Sequence, residues 1–504
     1  MAGRRVLPTR DNVAVATVTA PATSRPHTRR SATELAAAIR AGEATSREVV
    51  EAHIELLERV NPRINAVVVE RFEAAREEAD AADARIAAAE AGEDLPPLLG
   101  VPCTIKESFS LPGLSHCAGV VARRDRVCER TAPAVQRLLE AGAIPLGVTN
   151  TSELTLWVET ENRVYGRTSN PYDRRRTAGG SSGGEAAAIA SGASPFGLGT
   201  DLGGSIRLPA FFNGIFGHKP SRGVVPLTGH YPIPGADSGL LSYAGPLARR
   251  AEDLMPLLRL LAGPDGEDPQ VPDEVELGDP AAVAFDGLRV VVSESGTLGP
   301  TSAELAQARE RAAGALAAAG ASVERVPAKS MRRALEMYLA TLSSEAGRLR
   351  ELIEETGTEA PTLRATLSRR SPHTLPTRLT LVLEARASQI MPERRVRKLL
   401  AAREAFRREL EDTIGDGVLL HPPAPKVAPK HGGTVGRVWW IHPMLVFNLT
   451  GLPVTQTPLG LNAEGLPLGV QVVAASGGDH RTIAVAQELE RVFGGWAPPP
   501  LSAS

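Results

Sequence analysis

Two glycine-rich runs constrain this chain more than any other feature: Gly179-Gly-Ser-Ser-Gly-Gly184 and Gly199-Thr-Asp-Leu-Gly-Gly-Ser-Ile-Arg207. Without Cβ atoms in the way, successive backbone N–H groups can converge on one point and form a nest for an anion or a developing oxyanion. Neither run carries the G-x-x-x-x-G-K-[ST] lysine of a phosphate loop. No G-x-G-x-x-G follows a strand and opens a helix either, which sets nucleotide binding aside. Residues 179–183 do satisfy the G-x-S-x-G of a nucleophile elbow centred on Ser181, but an elbow follows a strand, and Asn170–Ala178 reads as a turn. The downstream histidines His421, His431, His442 and His480 read as structural or exposed. One glycine run alone is most simply a tight turn. Two runs, with serines 24 positions apart (205 − 181) and a buried-looking Lys106 upstream, point to chemistry.

The local patterns describe an α/β protein. Capping boxes at Ser31–Glu34 and Thr45–Glu48 open two helices, the second stopping near Asn61-Pro62, and residues 69–92 read as a long exposed helix. A short strand and turn over Leu98–Pro102 leads into Lys106. Beyond it, helical and strand-like segments alternate: helix 132–143, strand 143–148, a helix from Glu185, strand 195–200. Residues 263–280 read as a loop, 288–292 as a strand and 302–320 as a helix. Residues 328–415 are helical and arginine-rich, broken at 371–376, and are expected to form an insertion or cap with a solvated basic face. Strands at 418–421, 454–458 and 470–473 and a helix at 480–493 complete one domain over 30–498, between an N-terminal arm (1–29) and a short tail (499–504).

Composition narrows the function classes. A formal net charge of −2 gives no bias toward nucleic acid or an anionic bilayer. Cys103, Cys117 and Cys128 are odd in number and match no zinc spacing, so they read as buried thiols of a reducing compartment. No apolar run reaches the ~18 residues of a membrane helix. Arg4-Arg5 lacks the apolar stretch of an export signal, so the cytoplasm is the expected location.

The run GGSSGGEAAAIASGASPFGLGTDLGGSIRLPAFFNGIFGHKP (179–220) resembles the amidase signature family, as do residues 100–113, 149–173 and 448–473. The resemblance extends over about residues 30–498, and within the family 217–226 and 453–469 resemble the fatty acid amide hydrolase branch. The N-terminal membrane helix of that branch's vertebrate members has no counterpart here, which argues against residence in a bilayer. The resemblance implies a single domain with a central mixed, twisted β-sheet covered by helices on both faces. It implies hydrolysis of acyl or aryl-acyl amides through a serine acyl-enzyme, with no metal or organic cofactor and a homodimer as the assembly. It also implies roles: Lys106 as base, Ser181 as bridging serine after a cis Gly180–Ser181 peptide, and Ser205 as nucleophile. The N–H groups of Leu202, Gly203, Gly204 and Ser205 would form the oxyanion hole, with Ser182, Asp201 and Arg207 as support. An alternative within the family is the A subunit of a glutamine-dependent tRNA amidotransferase. From another class, a non-enzymatic scaffold is disfavoured because all three reactive residues are intact.

The chemistry sets a demand on the fold. With no histidine at these positions, a neutral lysine amine has to activate serine, and free lysine titrates near ~10.4. A dry pocket is therefore expected around Lys106, with no carboxylate paired directly to it and Glu107 pointing the other way along an extended segment. Phe211-Phe212, Trp439–Ile441 and Met444–Phe447 read either as the lining of an acyl channel or as plain core.

Overall fold

The computed structural model describes residues 25–503 apart from 91, 233–238, 295–297, 345–350, 352, 356–367, 369, 381 and 383–390. Ser31 and Thr45 close reciprocal capping boxes with Glu34 and Glu48 and start α1 (Ala32–Arg40) and α2 (Ser46–Ile64). Helix α2 runs past the expected stop. Pro62 sits in its last turn, where buried Val60 and Ile64 carry the packed face onward until Asn65, with φ 53°, ends it. The long helix expected over 69–92 is present as α3 (Phe72–Ala88), its first residues being taken by β1 (Val67–Glu70). The β-branched Val67-Val-Val69 run favours the pleated strand, which pairs antiparallel with residues 147–149.

There follow β2 (Pro102–Lys106), α4 (Pro133–Glu140), β3 (Ile144–Thr149), a small hairpin of β4 (Glu161–Asn162) and β5 (Gly166–Arg167), α5 (Gly183–Ala190), β6 (Phe196–Asp201), α6 (Arg207–Phe212), β7 (Phe216–Lys219), β8 (Tyr243–Ala248) and α7 (Leu254–Leu261). The second half holds β9 (Arg289–Ser293), α8 (Ala303–Ala318), β10 (Ser322–Val326), α9 (Ala334–Ser343), α10 (Glu393–Ile414), β11 (Val418–His421), α11 (His442–Thr450), β12 (Val454–Leu461), β13 (Pro467–Val473) and α12 (Asp479–Phe493).

Among the described residues, eleven strands form one mixed sheet in the order β1-β3-β2-β6-β8-β7-β12-β13-β11-β9-β10. Strands β3, β2 and β6 run parallel, as do β11, β9 and β10; the pairs between these groups are antiparallel. Helices cover both faces, and the alternation along each strand shows why. In β2 and β6, Cys103, Ile105, Phe196 and Leu198 join a core with α1, α4 and α7, while Thr104 and Gly197 face Glu185 of α5 and Lys106 faces Ser181 just before that helix. In β9 and β11, Val290, Val292, Val418 and Leu420 pack with α8 and α12, and Val291 and Leu419 pack with α9, α10 and α11. The α/β class and the mixed sheet inferred from the sequence are therefore those of the molecule.

The described parts of 328–415 include α9, α10 and residues 370–380; much of the rest of that segment lies outside the described residues. In the C-terminal half of α10, Arg407 pairs along the helix with Glu404 and Glu411, and Arg408 with Glu404. The C-terminal residues are not a loose tail: Leu501 is buried with Leu57 and Ala187. Residues 1–24 of the expected arm lie outside the described residues, whereas His27–Arg29 form a 3₁₀ turn. No helix among the described residues is long and apolar enough to cross a membrane.

Candidate active site

Three parallel strands end side by side. Lys106 is the last residue of β2, Thr149 the last of β3 and its ladder partner, and Asp201 the last of β6. The carboxyl ends of parallel strands are where crevices open in α/β sheets. Two loops fold over this edge. The segment before α5 carries Ser181 and Ser182, and the turn between β6 and α6 carries Leu202–Ile206.

Lys106 Nζ lies 2.7 Å from Ser181 Oγ and 2.7 Å from Thr200 Oγ1. The Gly180–Ser181 peptide is cis. The backbone N–H of Ser182 donates to the carbonyl of Ser205 at 3.3 Å, which ties the two glycine runs together. Ser182 Oγ in turn donates to the Thr200 carbonyl at 3.3 Å. Exposure is graded across these three side chains: 0% at Lys106, 1% at Ser181 and 7% at Ser205, so Ser205 is the one most open to an incoming molecule.

Burial lowers the Lys106 amine to about 7, against the opposing pull of Asp201, Glu185 and Glu107. None of these carboxylates pairs with it. Glu107, in the turn after β2, points away and accepts the N–H groups of Cys117 (2.7 Å) and Ala118 (2.8 Å). Glu185, on α5, is fully buried and holds the hydroxyls of Thr104 and Thr149. Its burial raises the carboxyl to about 7 despite those bonds and the nearby Lys106. Glu185 fits only because residue 197 is glycine: an ideal Cβ there would stand 1.7 Å from Glu185 Oε1.

The turn after β6 is braced from within. Burial would raise the Asp201 carboxyl, but the Arg207 guanidinium overrides it and holds that group well below the usual carboxylate range. Arg207 Nε and Nη2 each donate to Asp201 at 3.0 Å, with both side chains fully buried. Arg207 also donates to Gln471 Oε1 at 2.8 Å and Asn448 Oδ1 at 2.6 Å. Asp201 further accepts the N–H groups of Gly204 (2.6 Å) and Ile206 (3.1 Å). This corrects one expectation, because Gly204 N–H is already committed to a carboxylate and is not free to serve an oxyanion. Among the described residues, the N–H groups of Leu202, Gly203 and Ser205 make no hydrogen bond. Gly204 itself, with φ 112°, also passes close under Met444, whose sulfur would lie 2.4 Å from an added Cβ.

The sequence reading missed Thr200, Glu185, Asn448 and Gln471. The first two stand in or beside the glycine runs and could have been found as polar residues in an apolar setting. The last two come from α11 and β13; both lie in the 448–473 stretch that resembles the family, but nothing in its spacing ties them to the glycine runs. The segments weighed as an acyl channel are largely core: Phe211, Phe212, Trp440 and Met444 share one buried cluster, with Phe212 and Trp440 edge-to-face at 6.5 Å. Trp439 is exposed. His421 is engaged with Ser293 Oγ and His431 with the Arg174 carbonyl, and burial raises the Cys103 thiol far above its usual range.

Residues 48–483 match the Amidase family, and the chain belongs to that family, the amidase signature hydrolases that cleave amide C–N bonds. Fatty-acid amide hydrolase 2 of Homo sapiens is 41% identical over 483 residues, spanning 92% of this chain and 89% of that protein. The A subunit of the glutamyl-tRNA(Gln) amidotransferase of Synechococcus sp. (strain CC9605) is 30% identical across 92% of this chain and 96% of its own length. Among solved structures, 6-aminohexanoate cyclic dimer hydrolase complexed with substrate is similar with a TM-score of 0.80 and 26% identity, over 94% of this chain and 99% of that one.

Proposed function

We propose that this chain hydrolyses linear acyl amides, with fatty acid amides as the substrate class, through an acyl-enzyme on Ser205. The observation that carries the reading is the fully buried Lys106 amine, 2.7 Å from Ser181 Oγ and lowered to about 7. Ser205 Oγ attacks the amide carbonyl as its proton passes to Ser181 and from Ser181 to Lys106 Nζ. The oxyanion that forms accepts the unengaged N–H groups of Leu202, Gly203 and Ser205. On collapse, the same relay returns the proton to the departing nitrogen, since an amine anion is a very poor leaving group. Water then takes the place of the amine and releases the acid. Asp201, Arg207 and Ser182 hold the two loops in register and touch no reacting atom. The 41% identity to a fatty-acid amide hydrolase supports the acyl-amide substrate.

The 30% identity to an amidotransferase component keeps glutamine in the test as a second substrate. The purified chain, wild type and Ser205→Ala, is given a long-chain primary fatty amide, a short aliphatic amide, an aryl acylamide and glutamine, and products are read by mass spectrometry. The expected outcome is acid released from the long-chain amide and a loss of at least ~10⁴-fold in Ser205→Ala. Ammonia from glutamine alone would overturn the reading in favour of an amidotransferase component that needs partners.

A further inference from the structure

The three N–H groups left unengaged in the β6–α6 turn have something in common. Each belongs to a peptide unit whose carbonyl is held from the other side. The Asp201 carbonyl, in the peptide that carries Leu202 N–H, accepts Asn448 Nδ2 at 2.9 Å. The Gly204 carbonyl, in the peptide of Ser205 N–H, accepts the N–H of Leu208 at 2.7 Å. The Leu202 carbonyl, in the peptide of Gly203 N–H, accepts the Tyr338 hydroxyl at 3.0 Å. In a trans peptide the C=O and N–H point in opposite directions, so anchoring one aims the other. The anchors of Leu202 and Ser205 come from α11 and from the turn's own helix. The anchor of Gly203 comes from α9, in the arginine-rich segment that the glycine motifs do not include.

We propose that Tyr338 is a positioning residue for the oxyanion pocket, its hydroxyl aiming the Gly203 N–H at the reacting carbonyl. The inference rests on the reading of Ser205 as nucleophile given above. Three observations carry it. First, the tyrosine is 5% exposed and seated among Met337, Phe406, Leu410 and Leu445, so its hydroxyl is delivered by a packed helix and not by a free loop. Second, the fit over Gly203 is close. An ideal Cβ at residue 203 would stand 3.0 Å from the Tyr338 oxygen, a tight contact that would press on the hydroxyl where it meets its acceptor. Third, burial and the neighbouring Asp201 carboxylate keep that hydroxyl protonated, so it remains a donor throughout the working pH range. A donor on the Leu202 carbonyl also polarises that peptide, which strengthens Gly203 N–H as a donor in its turn. The device couples the placement of α9 to the chemistry: if α9 shifts, the Leu202–Gly203 peptide loses its anchor while Lys106, Ser181 and Ser205 remain in place.

The test compares wild type, Tyr338→Phe and Ser205→Ala on the acyl amide turned over fastest. It adds two ligands of the same chain length: a trifluoromethyl ketone, which forms a tetrahedral oxyanion adduct, and the corresponding secondary alcohol, which cannot. For Tyr338→Phe the expected result is a fall in kcat of about tenfold with KM within about twofold of wild type, less than the ~10²-fold or more lost with an oxyanion donor itself. Ketone affinity should fall by the same factor as kcat/KM, while alcohol affinity and the thermal unfolding midpoint stay near wild type. Unchanged kcat and ketone affinity would overturn the proposal. So would equal losses for ketone and alcohol, which would mark Tyr338 as a wall of the pocket. Turnover by Ser205→Ala would instead remove the reading of the site on which the proposal stands, and the two failures are distinct.

Discussion

Among the described residues, Lys106 has two hydroxyls and no carboxylate within hydrogen-bonding distance, and that choice of partners decides what its amine can do. A paired carboxylate would hold the ammonium form, whereas hydroxyls serve either form and burial then favours the neutral one. The folded-state value of about 7 lies well below the ordinary lysine range, so the amine gives up its proton as pH rises through neutrality. If Lys106 is the base, kcat/KM climbs with pH through a limb centred near 7 and is flat above it. A pH–rate profile on a primary amide checks this. A limb at the ordinary lysine value, or none between pH 5 and 9, would show that another group takes the proton. The lysine, both serines and the glycines that admit them were legible in the sequence because they stand in short contiguous runs. Thr200 was overlooked although it sits in the same run, since a threonine at the end of a strand looks like ordinary β-sheet.

At the scale of elements, the strands that carry the site are short, and several contradict simple patterns. The capped helices and the apolar strands β3 and β6 announce themselves. Strand β7 reads Phe-Gly-His-Lys and β8 reads Tyr-Ala-Gly-Pro-Leu-Ala; both are buried throughout, so neither shows the alternation that marks a half-exposed strand. Helix α11 is buried all round and has no polar face to betray its period, which is why its residues read as channel or core. Elements far apart in sequence are joined by single carboxylates. Glu153, in a turn where Leu154 and Thr155 take positive φ, accepts the N–H of Thr374 at 2.7 Å and His373 Nδ1 at 2.6 Å, holding residues 373–380 against the region after β3. Glu153→Gln should cost about 1.5–3 kcal/mol of local stability, because it replaces charge-assisted bonds with weaker ones. Hydrogen exchange should then quicken at 371–380 while β2 and β6 stay protected. Uniform quickening across the sheet would show that Glu153 supports the whole fold and not one segment.

The whole molecule is organised around one late pair of strands. Strands β12 and β13, among the last elements of the chain, occupy the middle of the sheet. They join a half built from residues 67–248 to a half built from 289–421. They also reach the site directly, since Gln471 on β13 accepts Arg207 and Arg207 braces Asp201. A chain ended at residue 453 would expose the inner edges of β7 and β11, both hydrogen-bonded in the intact sheet. Such a chain is expected to be insoluble or to lack cooperative unfolding, as read by far-UV circular dichroism and denaturant titration. A soluble fragment with native-like unfolding would show that residues 25–453 fold without the central pair.

The candidate site residues, the family, the α/β class and the caps that start the first helices are all written in the order of the residues. Each rests on positions close together in the chain, where spacing and residue type act directly on local backbone and chemistry. Which distant side chains finish the site was settled by packing in three dimensions: Tyr338 over Gly203, Asn448 and Gln471 on Arg207, and Met444 against Gly204. Packing also withdrew Gly204 from the N–H groups free to meet an oxyanion, because Asp201 takes that donor. A contact between residues 136 or 264 positions apart depends on how the sheet orders its strands. No periodicity within one segment encodes that order, so it emerges only when the whole core packs.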